Sequence, residues 1–187
     1  MPTTSFDPAR QVHFDLSKGS VRAGADERVA LVSVDALAEL VKGAPRGVIE
    51  SVGRIMGRGI GRRIAMGLGD AGKVRAAPVE TFVSHLGGEL ALAGYGVARL
   101  ERWGRAMVVA VSDTALGEPL LAAILEGALG AITEREVTCT PLMREGTTVR
   151  LLVSSRSAAE RVRSWLDARV AWGEALARLN VRSGGAA

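Results

Sequence analysis

LGEPLLAAILEGALGAITEREVTCTPLMREGTTVRLLV, residues 116–153, passes from a helical to a strand-like period within 38 residues. Leu120, Leu121, Ile124, Leu125, Ala128, Leu129 and Ile132 recur at helical spacing, so the first half predicts an apolar helix. The pattern then switches to EVTCTPLM and TTVRLLV, two strand-like runs joined by the turn REG. Just upstream, YGVARLER and RAMVVAVS flank a WG turn and predict a first hairpin. Helices before, between and after two hairpins define an α+β domain. Two hairpins packed against several helices form its centre.

Working outward, residues 46–69 place Val48, Val52, Ile55, Ile60, Ile64 and Leu68 at helical spacing. Gly53, Gly57 and Gly61 stand four apart on one face of that helix. Each glycine costs about 1 kcal/mol relative to alanine in a helix interior, so three in register predict close approach of another backbone. That backbone belongs either to the domain itself or to a second copy across a dimer interface. Arg54, Arg58 and Arg62 run as a stripe beside the glycines, joined by Arg63. Residues 70–77 read as a flexible joint. Pro78 then starts a third helix whose apolar face carries Phe82, Val83, Leu86 and Leu90.

At the N-terminus, residues 11–16 and 28–32 predict the two strands of a short hairpin, with residues 17–27 as its turn-rich link. Ser33 or Asp35 can cap a helix over residues 36–42. At the other end, SSRSAAERVRSWLDARVAWGEALARL reads as one helix. The expected organisation is a flexible leader (1–10), a single domain (11–180) and a flexible tail (181–187).

Hydrophobic residues make up 48% of the 187, enough for a sizeable core, but aromatics only 4%, so Leu, Val, Ile, Ala and Met must build it. The net charge of +4 comes with three lysines among 24 basic residues, which leaves 21 arginines. A mild excess spread along the chain argues against nucleic acid, whose binders concentrate basic residues on one face with aromatics between them. A single cysteine, Cys139, allows no internal disulfide and fits a reducing, cytoplasmic setting. No run of about 18 uncharged apolar residues predicts a membrane span.

Catalytic constellations are absent from the pattern. Neither a GxxxxGK[ST] loop nor a GxGxxG loop between strand and helix occurs, and no catalytic residue is assigned. His85 and Glu89 lie four apart, but a metal site needs three or four ligands, so both read as side chains in a solvated or rim position and no metal or cofactor is expected. Asp113 and Glu118 read as loop and helix-start residues. Cys139 alternates with Val137 and Pro141 and reads as a small core residue ahead of a reactive thiol. Glu126 interrupts the apolar helix and is expected to point outward.

The order of elements carries a resemblance. A glycine-rich helix, a helix ending GELALAG, a hairpin, LLAAILEGALGAITEREVTC and a last strand VRLLVSS resemble the 4-vinyl-reductase-type small-ligand-binding domain. That domain shares its fold with the small core subunits of the TRAPP vesicle-tethering complex. The likeness spans residues 28–166. It implies the four-stranded sheet, dimerisation through helices, an apolar pocket in some members, and a strand cysteine that falls here at Cys139. The next strand, TTVRLLVSS, lacks the second cysteine of many bacterial members, so a zinc or thiol-pair role is not carried over.

The resulting expectation is a non-enzymatic ligand-binding or sensor domain acting as a homodimer. Ile55, Ile60, Leu86, Leu90, Ile124, Leu125 and Cys139 would line an apolar pocket for a small hydrophobic ligand, or an interface. Gly53, Gly57 and Gly61 would give close helix packing, and Arg54, Arg58 and Arg62 would contact an anion or partner. The alternative is a TRAPP-subunit-like adaptor that binds protein partners without a small ligand.

Overall fold

The computed structural model describes residues 6–24, 27–69, 74 and 76–183. Its elements begin with a 3-10 turn, Pro8–Arg10, and three short strands, β1 (Val12–Asp15), β2 (Ser20–Ala23) and β3 (Glu27–Val29). Helices α1 (Val34–Val41), α2 (Arg46–Leu68) and α3 (Val79–Leu92) follow. The first hairpin is β4 (Val97–Trp103) with β5 (Ala106–Ser112). Helix α4 (Glu118–Thr133) leads to the second, β6 (Thr138–Glu145) with β7 (Thr148–Ser154). Helices α5 (Arg156–Asp167) and α6 (Trp172–Ser183) close the chain.

The two hairpins form one antiparallel sheet in the order β4-β5-β7-β6, as the sequence predicts. Strand alternation sends the two faces into separate cores. Val109, Val111, Val149 and Leu151 pack with Leu86 and Leu90 of α3, Ile60 and Ile64 of α2, and the apolar residues of α4. Ala106, Val108 and Leu152 point the other way, against Val162 of α5 and Ala175, Leu176 and Leu179 of α6. Leu86, Leu90, Leu121, Ile124 and Leu125 are fully buried. Each such side chain contributes about 1.5–3 kcal/mol by leaving water.

The glycine face of α2 meets α4 of the same chain. A Cβ on Gly57 would overlap the Ile124 carbonyl oxygen, and one on Gly53 would come within 2.6 Å of the Ala123 Cβ. A Cβ on Gly61 would reach 2.8 Å from that of Ala131. The contact is reciprocal, because Gly127 of α4 lies against the Arg54 backbone. Two helix backbones touch here, so this face is filled from within the chain.

Two expectations need correction. The N-terminal unit is a three-stranded meander in the order β1-β2-β3, because Ser20–Ala23, read as part of a turn, is a strand of its own. Gly19 and Gly24 adopt φ of 55° and 62° at its two ends, which lets a four-residue strand reverse on both sides. The C-terminal helix is two helices. Arg169 sits at φ 63°, and the N–H groups of Arg169 and Val170 donate to the carbonyls of Leu166 and Trp165. This left-handed stop requires no glycine, so the sequence hides it. It folds α6 back so that Trp172 meets Trp103 edge-to-face at 4.7 Å.

At the C-terminal end, helix α6 runs to Ser183, and the rest of the range expected as a tail lies outside the described residues. Part of the expected leader is ordered as the Pro8–Arg10 turn, capped by the Asp7 carboxylate. Most of the expected joint at 70–77 lies outside the described residues. Ser33, rather than Asp35, caps α1, its hydroxyl accepting from the Ala36 N–H at 3.2 Å. No helix among the described residues is long and apolar enough to cross a membrane.

Candidate ligand site

The expected pocket residues fall into two groups. Ile60, Leu86, Leu90, Ile124, Leu125 and Cys139 lie together in the core under the sheet. Ile55 stands apart, 57% exposed on the outer side of α2. Cys139 is buried on β6. Burial, with Glu126 close by, pushes the Cys139 thiol above its ordinary pKa and favours its protonated form.

Chemistry enters this core at one seam, between α2 and α3. Glu89 is 3% exposed and Arg63 is 12% exposed in its side chain. Arg63 donates from Nε and Nη2 to Oε2 of Glu89 at 3.0 and 2.7 Å, and from Nη1 to Glu27 of β3 at 2.5 Å. Burial acts to lower the Arg63 pKa, but its bonds and charge contacts with Glu89 and Glu27 outweigh that and hold it above the ordinary value. Tyr95, partly buried beside the same core, has its pKa raised by burial, with the Arg63 charge acting in opposition. One turn before Glu89, His85 is buried too, its ring edge-to-face with Phe6 at 6.1 Å between centroids.

His85 and Glu89 are therefore interior groups, not the solvated pair expected from their spacing. The partner that makes burial of Glu89 tolerable lies 26 residues earlier in the chain, where no local pattern reveals it. The local sequence HLGGEL explains how the seam is built. Gly87 turns its bare side to β4, where a Cβ would sit 2.8 Å from the Ala98 carbonyl oxygen. Gly88 turns its own to the Phe6 ring, which a Cβ would overlap. The outcome is a set of polar groups (His85, Glu89, Arg63 and Tyr95) set among Leu86, Leu90 and Ile60.

A second feature is an open groove of about 950 Å³ along the outer side of α4, walled by α2 and α5 and floored by Ala122, Ala123, Gly127, Gly130 and Ala131. Cys139 alone among the expected pocket residues reaches it, and Arg54 and Arg58 line it while Arg62 does not. Glu126 points into this region instead of outward. It accepts the Cys139 N–H at 3.0 Å and the Arg54 Nε–H at 3.1 Å, tying β6, α4 and α2 together. Arg46 pairs with Glu50, and Arg156 with Glu136. Arg58, Arg135 and Arg163 line the groove with no carboxylate partner among the described residues. No three His, Cys, Asp or Glu side chains among the described residues converge as metal ligands.

Comparison with known proteins agrees on architecture. No protein-family model matches the chain, and no curated protein does. Among solved structures, the chain is similar to the crystal structure of the phenol-responsive sensory domain of the transcription activator PoxR with phenol. The TM-score is 0.55 at 16% sequence identity, over 91% of this chain and 92% of that one. At this identity the likeness carries the fold alone.

Proposed function

We propose that this chain is a non-enzymatic sensory domain that binds a small, largely apolar molecule with a polar handle, of the 4-vinyl-reductase-type kind. The ligand would seat at the α2–α3 seam, with Leu86 and Leu90 beside its apolar part and His85, Glu89 and Arg63 facing its handle. The observation that carries this reading is the buried Arg63–Glu89 pair. Taking both charges out of water costs several kcal/mol per ion, and a well-packed apolar pair would serve stability as well or better. Convergent polar groups in an apolar setting are the usual make-up of a small-molecule site. The likeness to a phenol-responsive domain supports the same class of ligand.

The test is thermal melting and native mass spectrometry of the purified chain against phenol and a panel of substituted phenols. A ligand at a hundred times its Kd stabilises by about 2.7 kcal/mol, so a rise in melting temperature is expected, absent in Glu89→Gln. No shift across the panel, together with a native mass equal to the sequence mass, would remove the reading.

The homodimer is part of the same proposal. The glycine face of α2 is already filled by α4, so pairing would use the opposite side, where Val48, Val52 and Ile55 are exposed at one-turn spacing. Light scattering of Ile55→Asp beside the unmodified chain checks it; an unchanged mass would sink this surface. An adaptor role is the second reading, favoured by one observation: the unpaired Arg58, Arg135 and Arg163 suit an acidic partner segment in the groove. Its mark would be a partner released by salt and lost in Arg58→Glu.

A further inference from the structure

The ligand site just proposed already holds an aromatic ring, and the ring belongs to the chain itself. Phe6 is half-buried, its edge-to-face partner is His85, and it rests on the bare backbone of Gly88. Glycine is disfavoured inside a helix, so its presence at 88 calls for a reason. Gly87 has one in the β4 backbone. Phe6 is the neighbour that a side chain at 88 would overlap, which makes Gly88 one wall of a seat shaped for a flat ring.

The N-terminal meander is moored to the body at the same place by two links. One is Phe6 on His85 and Gly88. The other is Glu27 of β3, which receives Arg63 at 2.5 Å while Arg63 also holds Glu89. The backbone is relieved at this second mooring as well: Gly24 faces the aliphatic part of Arg63 at 3.2 Å, and Gly59 faces the Glu27 carboxylate at 2.7 Å from where a Cβ would stand. Both links therefore end on residues of the proposed site. Beyond them the meander exposes Phe14 and Leu16, apolar groups suited to a partner surface.

We infer that Phe6 is an intramolecular occupant of the ligand site, and that an aromatic ligand enters by taking its seat and unmooring the residue 6–29 segment. This rests on the reading of the His85–Glu89 seam as a ligand site. Binding would then be converted into a change at the N-terminal meander without rearrangement of the core. An occupying segment also sets the ligand's apparent affinity, because only the fraction of molecules with the seat vacant can bind.

The experiment uses the full chain with phenol as probe, titrated calorimetrically into the unmodified protein and into Phe6→Ala, with hydrogen exchange followed at amides 12–23. If Phe6 fills the seat about nine-tenths of the time, its removal tightens phenol binding about tenfold. Phenol should also speed exchange across β1 and β2 of the unmodified protein while α4 stays protected. This second readout stands even if the variant folds poorly. Equal affinity in both chains with unchanged exchange would overturn the occupant role and leave the ligand site standing. Phenol binding to neither chain, although Phe6→Ala has emptied the seat, would overturn both.

Discussion

Helix α2 carries two seams of opposite character. Toward α4 it is bare along its centre: Gly53, Gly57 and Gly61 let backbone touch backbone, with the Arg54–Glu126 ion pair at the edge of the contact. Toward α3 it spends a long cation, Arg63, on the buried carboxylate of Glu89 and on Glu27 of the meander. The first seam is held mainly by dispersion contacts and apolar burial. The second places charges where the protein must hold them in geometry or lose stability. A purely structural helix could have used apolar side chains on both sides.

The largest expected effect separates the two seams at once. Glu89→Ala leaves Arg63 buried without its main partner and should cost about 3–5 kcal/mol in chemical denaturation. The paired variant Arg63→Met with Glu89→Leu should be neutral or more stable, since it replaces the ion pair by apolar volume. If the pair served only stability, the double variant would fall as far as the single one, and the contrast would break.

Next comes the bare seam. Gly57→Ala should destabilise by about 1–3 kcal/mol, because the new methyl meets the rigid Ile124 carbonyl rather than a side chain that can turn away. Gly47, which faces open space at the start of the same helix, is the control, and its alanine variant should be neutral or slightly stabilising. Equal behaviour of the two would mean that α2 and α4 do not touch.

The smallest effect lies at the rim of the bare seam. Arg46 is the main cause of a lowered pKa at Glu50, helped by Arg54 and opposed by burial. A carboxylate depressed in the folded state adds stability above its unfolded value, near 4.5, and loses it as pH falls through the folded value. Glu50→Gln should therefore flatten the acid limb of the stability profile below about pH 4.5, by no more than about 1 kcal/mol for so exposed a pair. An unchanged profile would show that the pair contributes nothing in solution.

Much of the architecture was open to reading. Helix α4 and the two hairpins follow from periods of 3.6 and 2, which depend on each residue's own chemistry. The four-residue spacing of Gly53, Gly57 and Gly61 announced a close backbone, although not whether a sheet, a helix or a second copy would supply it. The site was far less legible. Arg54, Arg58 and Arg62 form the visible stripe, yet the arginine that turns inward is Arg63, which is out of register with them. His85 and Glu89 looked solvated because charged and polar groups stay exposed unless paired, and the pairing group sits on another helix. Phe6 looked like part of a loose leader, since nothing adjacent to it asks for an aromatic ring.

Residue patterns thus reveal what is local: which segments are helix or strand, which face of each is apolar, and where a backbone had to be left bare. Those properties arise from periodicity and from the steric demands of single residues. The partners are set by three-dimensional packing. It brought Arg63 to Glu89, Glu126 to the Cys139 N–H, and Phe6 to the place between His85 and Gly88. The physical reason is that a buried charge, an amide donor or a ring seat is completed by groups far apart in the chain. Their free energies depend on distance in space, which short-range spacing does not encode.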